Sequence, residues 1–359
     1  MPEPAMLAAP APSTAPPAPA AAPARSPAPV RAPAPARERL RRPAPARTAG
    51  IVGLGLALPE RSVPNAEIAA SLGVSDEWIA RRTGISARRY AAPGQRVSEL
   101  ATSAARAALA DAGLDARELD MILVATLAPD EITPSTAPLV AHALGAGSIA
   151  AIDVGAACAG SLAALALACG WIEAGRARNV LVIGAEVLTR FVDFADRRTA
   201  PLFADGAGAL VLSVDAGGAI GPFVLGSDGA AARAICATRE RGVLEMEGHD
   251  TFLMAVEQLT RSTTEVLARA QLELADVDLF VYHQANSRIL TAVAERLAVP
   301  RERVFDCIAE LGNTSAASVP IALGEAVRAG ALTPGMRIVV GAVGAGLVWG
   351  ASVIEWGGA

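Results

Sequence analysis

Two stretches of this chain repeat one another in order, and a chain that carries one supersecondary plan twice has few folds open to it. At an offset of 158 residues, Leu109-Ala110 meets Leu267-Ala268, Leu114 meets Leu272, and Asp120 meets Asp278 ahead of matching apolar runs. At an offset of 155, Cys158 meets Asn313, and Glu173-Ala174-Gly175 meets Arg328-Ala329-Gly330. After a two-residue insertion, residues 180–184 then meet 337–341. Each match alone is weak; their shared order is what implies an internal duplication. Strand-like runs alternate with helical patterns throughout, which predicts an α/β fold with largely parallel strands. Strands are expected at 51–57, 121–127, 151–154, 180–183 and 209–214. A second series is expected at 223–226, 279–282, 304–307, 338–343 and 351–355.

The two halves are therefore read as 50–218 and 219–359. Ahead of them, residues 1–49 hold 14 of the chain's 25 prolines, with seven arginines against two glutamates. Such a composition cannot bury enough apolar surface to fold and reads as an extended, disordered tail. The whole chain has a formal net charge of −5, so the folded body is acidic, which argues against a nucleic-acid binder. Every one of the 31 basic residues is arginine. Without a lysine amine, Schiff-base chemistry, pyridoxal-phosphate attachment and the P-loop are excluded. The three histidines are scattered, which speaks against a metal cluster. The uncharged stretch 154–172 mixes strand-like and helical parts and reads as buried core, not as a membrane span. Four cysteines without a CxxC pair, and no signal peptide, read as reduced thiols in the cytoplasm.

Each half brings a strand end and a helix start close to one of the paired positions. Cys158 precedes an Ala/Leu helix, where the positive end of the helix dipole is expected to lower its pKa and favour a thiolate. Asn313 stands ahead of the segment 315–327, and His283 closes the strand 279–282, at the carboxyl end where open α/β sheets place their ligands. Cys, His and Asn so placed make a nucleophile with two polar partners. Cys169, Cys236 and Cys307 read as structural thiols, and His142 and His249 as structural histidines. Gly206 and Gly208, like Gly344 and Gly346, lack the acidic partner of a dinucleotide fingerprint and read as tight turns.

At these residues the chain resembles the β-ketoacyl-acyl-carrier-protein synthase III family of the thiolase-like superfamily. The segments that carry the resemblance are 153–160 (DVGAACAG), 283–288 (HQANSR), 312–320 (GNTSAASVP), 75–85 (SDEWIARRTGI), 203–209 (FADGAGA) and 344–350 (GAGLVWG). The resemblance implies an αβαβα stack of two duplicated α/β halves, assembled as a homodimer. It implies that Cys158 takes an acyl group from acyl-CoA and that a malonyl-carrier thioester then condenses with loss of carbon dioxide, with no cofactor. His283 and Asn313 would stabilise the enolate, and the backbone N–H groups of Cys158 and Gly346 the other oxyanions. Trp78, Arg82 and Arg197 would hold the nucleotide end of CoA, and Arg288 the acidic carrier protein. Phe203 would line the acyl pocket, together with a Thr133 reaching across the dimer where the family commonly has phenylalanine. The smaller residue implies room for a longer or branched starter. A related acyltransferase passing the acyl group to another acceptor is the alternative; a non-catalytic scaffold is disfavoured by the intact Cys158, His283 and Asn313.

Overall fold

The computed structural model describes residues 47–358; the Ala/Pro/Arg-rich segment lies outside them, apart from Arg47, Thr48 and Ala49. Ala49 is already core: it is fully buried, and its carbonyl accepts from Ile220 N–H at 2.8 Å.

The first half opens with β1 (Gly50–Ala57) and a small lobe in which β2 (Arg61–Pro64) pairs with β3 (Ala87–Tyr90) around α1 (Asn65–Leu72) and α2 (Asp76–Thr83). It continues through α3 (Val97–Ala112), β4 (Met121–Ala125), α4 (Thr136–Leu144) and β5 (Ala150–Val154). It closes with α5 (Gly160–Glu173), β6 (Asn179–Val187) and β7 (Asp205–Ser213). The second half runs from β8 (Ala219–Ser227) through the hairpin β9 (Ile235–Ala237) and β10 (Leu244–Met246) to α6 (Gly248–Ala270). There follow β11 (Leu279–Tyr282), α7 (Ser287–Leu297), α8 (Ile308–Leu311), α9 (Ser318–Arg328), β12 (Arg337–Gly344) and β13 (Val348–Glu355).

The central strands are apolar on both faces, so each sheet must be covered twice. In the first sheet, ordered β1-β7-β6-β4-β5, Leu123, Val182 and Leu210 face α5 and α9, while Ile122, Leu181 and Val211 face α3 and α4. In the second, ordered β11-β12-β13-β8, Val281, Ile338 and Val340 share the α5/α9 core, and Phe280, Val339 and Val353 face α6 and α7. The result is five layers, αβαβα, with α5 and α9 in the middle. Each such buried side chain contributes about 1.5–3 kcal/mol.

The expectation of largely parallel sheets does not hold. Only β4–β5, β4–β6 and β11–β12 are parallel; β1–β7, β6–β7, β12–β13 and β13–β8 are antiparallel. A parallel neighbour needs a covering crossover, and β12 reaches β13 through a three-residue turn. The strand expected at 304–307 is also absent. Val304 makes an isolated bridge to Phe280, after which Asp306 Oδ1 accepts from Ile308 N–H at 3.1 Å and turns the chain into α8.

The duplication is plain in three dimensions, but its register differs from the one read at Cys158. Around the site, helix and strand starts correspond at 158: α5 with α9, β4 with β11, β6 with β12. Cys158 is thus the counterpart of Ala316. The offset of 155 belongs to the helix ends alone, because α9 is 11 residues long against 14 for α5.

Candidate active site

Both halves deliver their site residues through the same turn. After β5, Ala157 takes a left-handed conformation (φ 44°), and a short 3-10 turn, Ala157–Ala159, leads into α5. After Asn313, Ser315 takes nearly the same angle (φ 47°), and Ser315–Ala317 leads into α9. Left-handed angles at non-glycine residues are strained and mark positions the surrounding structure holds in place. Cys158 sits within the first of these turns, at the head of the helix. Its thiol is not depressed as a helix start would suggest: burial pushes it up to about 11, with the Glu186 charge adding to the rise. Desolvation of the thiolate outweighs the helix dipole here. Cys307 is likewise lifted by burial, to about 12, and Cys169 further still.

Asn313 is held by three hydrogen bonds. Its N–H donates to Leu202 O and its carbonyl accepts from Ala204 N–H, each at 2.9 Å. Its side-chain Oδ1 accepts from Ser315 N–H at 2.9 Å, so the amide orientation leaves Nδ2 as the group free to donate. His283 follows β11, and its N–H donates to Gly341 O at 2.8 Å, continuing the ladder with β12. Its Nδ1 lies 2.8 Å from Ser318 Oγ, which also accepts from Gln284 N–H at 2.8 Å. Burial lowers the His283 pKa to about 4, so the ring is neutral at ordinary pH.

The rest of the HQANSR segment braces the site. Gln284 Nε2 donates to Tyr282 O and Phe305 O, and its Oε1 accepts from Cys307 N–H, clamping the irregular 305–307 segment. Asn286 caps α7 through Arg288 N–H at 2.9 Å and donates to Arg82 O at 3.0 Å. That contact ties α7 to α2, where a Cβ on Gly84 would come within 2.3 Å of Ser287 Cβ.

Cys158, His283, Asn313 and Phe203 line one cavity of about 100 Å³. Ala345 lines it as well, and Gly346 does not. Gly344 lies against Cys158: a Cβ there would stand 2.6 Å from Cys158 N. Thr133 is exposed and lies outside the cavity of its own chain. The cavity opens through Leu202, Met246 and Phe252 to a mouth lined by Trp78, Arg82, Arg197 and Arg288. Arg82 stacks 4.5 Å over the Trp78 ring, and Arg288 5.6 Å over Phe252. Arg197 Nε donates to Leu72 O at 2.6 Å. The mouth also includes Arg198 and His249, which sequence reasoning left aside. Also missed were Ser318, behind His283, and Glu186, fully buried behind Cys158. Among the described residues, no three His, Cys, Asp or Glu side chains converge as a metal site requires.

Residues 152–247 match the family model for 3-oxoacyl-[acyl-carrier-protein] synthase III, and residues 267–356 match the model for that enzyme's C-terminal part. The chain is 44% identical over 330 residues to a β-ketoacyl-[acyl-carrier-protein] synthase III of Streptomyces coelicolor, covering 86% of this chain and 98% of the relative. The crystal structure of the Aquifex aeolicus 3-oxoacyl-[acyl-carrier-protein] synthase III superposes with a TM-score of 0.84 at 42% identity, covering 86% of this chain and all of that one. The priming β-ketosynthase of a polyketide biosynthetic pathway superposes equally well, at 35% identity over 89% of this chain and 99% of that one. On sequence and on fold alike, this chain belongs to the β-ketoacyl-acyl-carrier-protein synthase III family.

Proposed function

We propose that the chain starts acyl chains in two stages on one thiol. Cys158 Sγ attacks the thioester carbonyl of an acyl-CoA, the thiol proton leaves with CoA, and the acyl group stays as a thioester. A malonyl-carrier thioester then enters and loses carbon dioxide, and its enolate carbon attacks the acyl carbonyl; the C–S bond to Cys158 breaks, releasing its thiolate and the β-ketoacyl-carrier product. The observation that carries this reading is that Cys158, His283 and Asn313 line one cavity, each polar partner already engaged on the side away from it.

Ser318 Oγ accepts from Gln284 N–H, and we assign its own proton to His283 Nδ1, which leaves the ring's proton on Nε2. His283 Nε2–H and Asn313 Nδ2–H then both donate to the malonyl thioester oxygen as it becomes an enolate. A neutral imidazole can fill this role, because its Nε2–H remains a donor while Nδ1 accepts from Ser318. The N–H groups of Cys158 and of Ala345, in place of Gly346, are the donors we assign to the acyl-transfer oxyanion. One such donor is worth about 3–4 kcal/mol.

Trp78, Arg82 and Arg197 suit the adenine and phosphates of CoA, as indole and guanidinium planes do. Arg288, at the same mouth, suits an acidic carrier protein, and Phe203 the acyl chain. The chemistry needs no cofactor, and we place it in the cytoplasm. A homodimer through the edge strand β5 is supported by Ile152 and, on the neighbouring helix, Leu167 and Trp171, all apolar and exposed. Such a partner would bring Thr133, beside the 88%-exposed Ile132, to the other chain's acyl pocket. The two halves, 50–218 and 219–359, would work as nucleophile-bearing and His/Asn-bearing parts of one site.

Intact-mass measurement after incubation with a panel of acyl-CoAs, beside Cys158→Ala, tests the first stage. A single adduct lost in the variant is the expected result, and no adduct with any acyl-CoA would sink CoA priming. Carbon dioxide release from malonyl-carrier protein tests the second stage. An adduct without that release would mean transfer to another acceptor.

A further inference from the structure

Arg88, in β3, is fully buried, and among the described residues no carboxylate pairs with it. Its guanidinium donates instead to three neutral oxygens. Nη1 reaches Val63 O at 3.1 Å, and Nη2 reaches Asn65 Oδ1 at 2.7 Å and Pro201 O at 3.1 Å. Its Nε has no partner. A buried cation without a counter-ion destabilises a fold, and an apolar side chain of similar volume would fill the space better. Packing alone does not call for a charge here.

Two of the three acceptors, Val63 and Asn65, belong to β2 and α1 of the same small lobe. The third opens the segment 201–204, onto which Asn313 is laddered from both sides, through Leu202 O and Ala204 N–H. The far end of that segment is tied to the same strand, because Asp205 Oδ2 accepts from Ala91 N–H, one residue past β3, at 2.8 Å. On the chain just before Asn313, Gly312 packs on the arginine itself: a Cβ there would stand 2.8 Å from Arg88 Cβ. Ser86, one residue ahead of β3, donates its N–H to Ala309 O of α8 at 2.8 Å. Arg88 thus meets the Asn313 turn twice, under Gly312 and through Pro201.

We propose that Arg88 is a positioning residue for Asn313, acting through the segment 201–204. The small lobe of the first half thereby sets where an amide of the second half points. Without the guanidinium, Pro201 O is released, 201–204 slackens, and Asn313 Nδ2 moves with its backbone. Cys158 is carried by a separate turn, 157–159, and keeps its place. Phe203 rides on the slackened segment and lines the cavity, so acylation is read with the shortest acyl-CoA that gives an adduct.

One arm of the test rests on the two-stage reading of the site, and the other needs no substrate. Amide hydrogen exchange is followed by mass spectrometry on peptides carrying 201–205 and 311–315. In Arg88→Met both are expected to exchange about tenfold faster than in the wild type, the effect of one lost hydrogen bond, while peptides of β4 and β12 keep wild-type rates. Carbon dioxide release from malonyl-carrier protein is expected to fall about tenfold, with Cys158 acylation within about twofold of wild type. Asn65→Ala removes the 2.7 Å acceptor and leaves the arginine, and is expected to shift both readouts the same way by about threefold. It keeps the proposal falsifiable if Arg88→Met does not fold. Wild-type exchange at 311–315 in a folded variant overturns the proposal, and so does an equal loss in acylation and release. A wild type that gives neither adduct nor carbon dioxide would remove the two-stage reading instead, leaving the exchange rates to decide on Arg88.

Discussion

Gly344→Ala is the sharpest test of how Cys158 is held. A Cβ at this position would stand 2.6 Å from Cys158 N, 3.1 Å from Ala159 N and 3.2 Å from Cys158 Cα. Ordinary contact begins near 3.4 Å, so the turn bearing Cys158 must retreat by about 0.8 Å. All three atoms are backbone, and none can rotate aside. A misplacement of about 1 Å at a reacting group costs on the order of a hundredfold in rate. We therefore expect acylation of Gly344→Ala by acyl-CoA to slow about a hundredfold, with a stability loss of only about 1–3 kcal/mol, typical of overpacking. Single-turnover adduct formation by mass spectrometry gives the rate, and denaturant unfolding gives the stability. Gly155→Ala is the control: it lies in the same loop, with nothing within 4 Å of the added carbon, and should acylate within about twofold of wild type. A Gly344→Ala enzyme that acylates as fast as Gly155→Ala would refute the claim that this glycine sets the position of the thiol.

With the proposed division of labour, in which Asn313 Nδ2 serves only the enolate, Asn313→Ala should acylate normally yet lose about a hundredfold or more in carbon dioxide release; equal losses in both stages would contradict that division. Ser318→Ala frees His283 Nδ1 and mixes the tautomers, so condensation should fall about tenfold with acylation spared, read as separate stage rates. His283 carries a folded pKa of about 4 against 6.5 when free, so stability is full above pH 6.5 and falls as acid charges the unfolded ring first. About 3 kcal/mol is lost by pH 4 on this account, and His283→Asn should flatten that part of the unfolding-versus-pH curve. Glu186 runs the other way: its raised pKa gives stability that is full below 4.5 and declines as pH rises toward 8. Glu186→Gln should therefore gain on wild type across that window in equilibrium unfolding.

Much of this was legible in the residues. Hydrophobic runs located nine of the ten expected strands, since a strand covered on both faces must be apolar along its length. The tenth, at 304–307, failed because its apolar pattern is interrupted by Asp306, whose side chain captures the Ile308 N–H. Strand direction was not readable, because apolar content is the same either way and the deciding turn at 345–347 is only three residues long. Cys158, His283 and Asn313 stood out by type and by place at element ends. The thiol's pKa did not, because the helix start is visible in sequence whereas the desolvation that opposes it is a property of packing. Ser318 and Ser315 looked like ordinary small polar residues of a helix start. Glu186 sat unremarked in an apolar strand; its only signal was the offset of 158, which sets a carboxylate opposite a bare glycine.

The mouth of the cavity has a chemical consequence of its own. Every cation that lines it, Arg82, Arg197, Arg198 and Arg288, is a guanidinium, and the chain has no lysine at all. An ammonium would bind phosphates as well, but its deprotonated fraction is a nucleophile toward thioesters, whereas guanidinium stays charged at any pH a protein survives. A chain whose family handles activated acyl thioesters thus presents them with no side-chain amine at this mouth, where a lysine could have intercepted the acyl group.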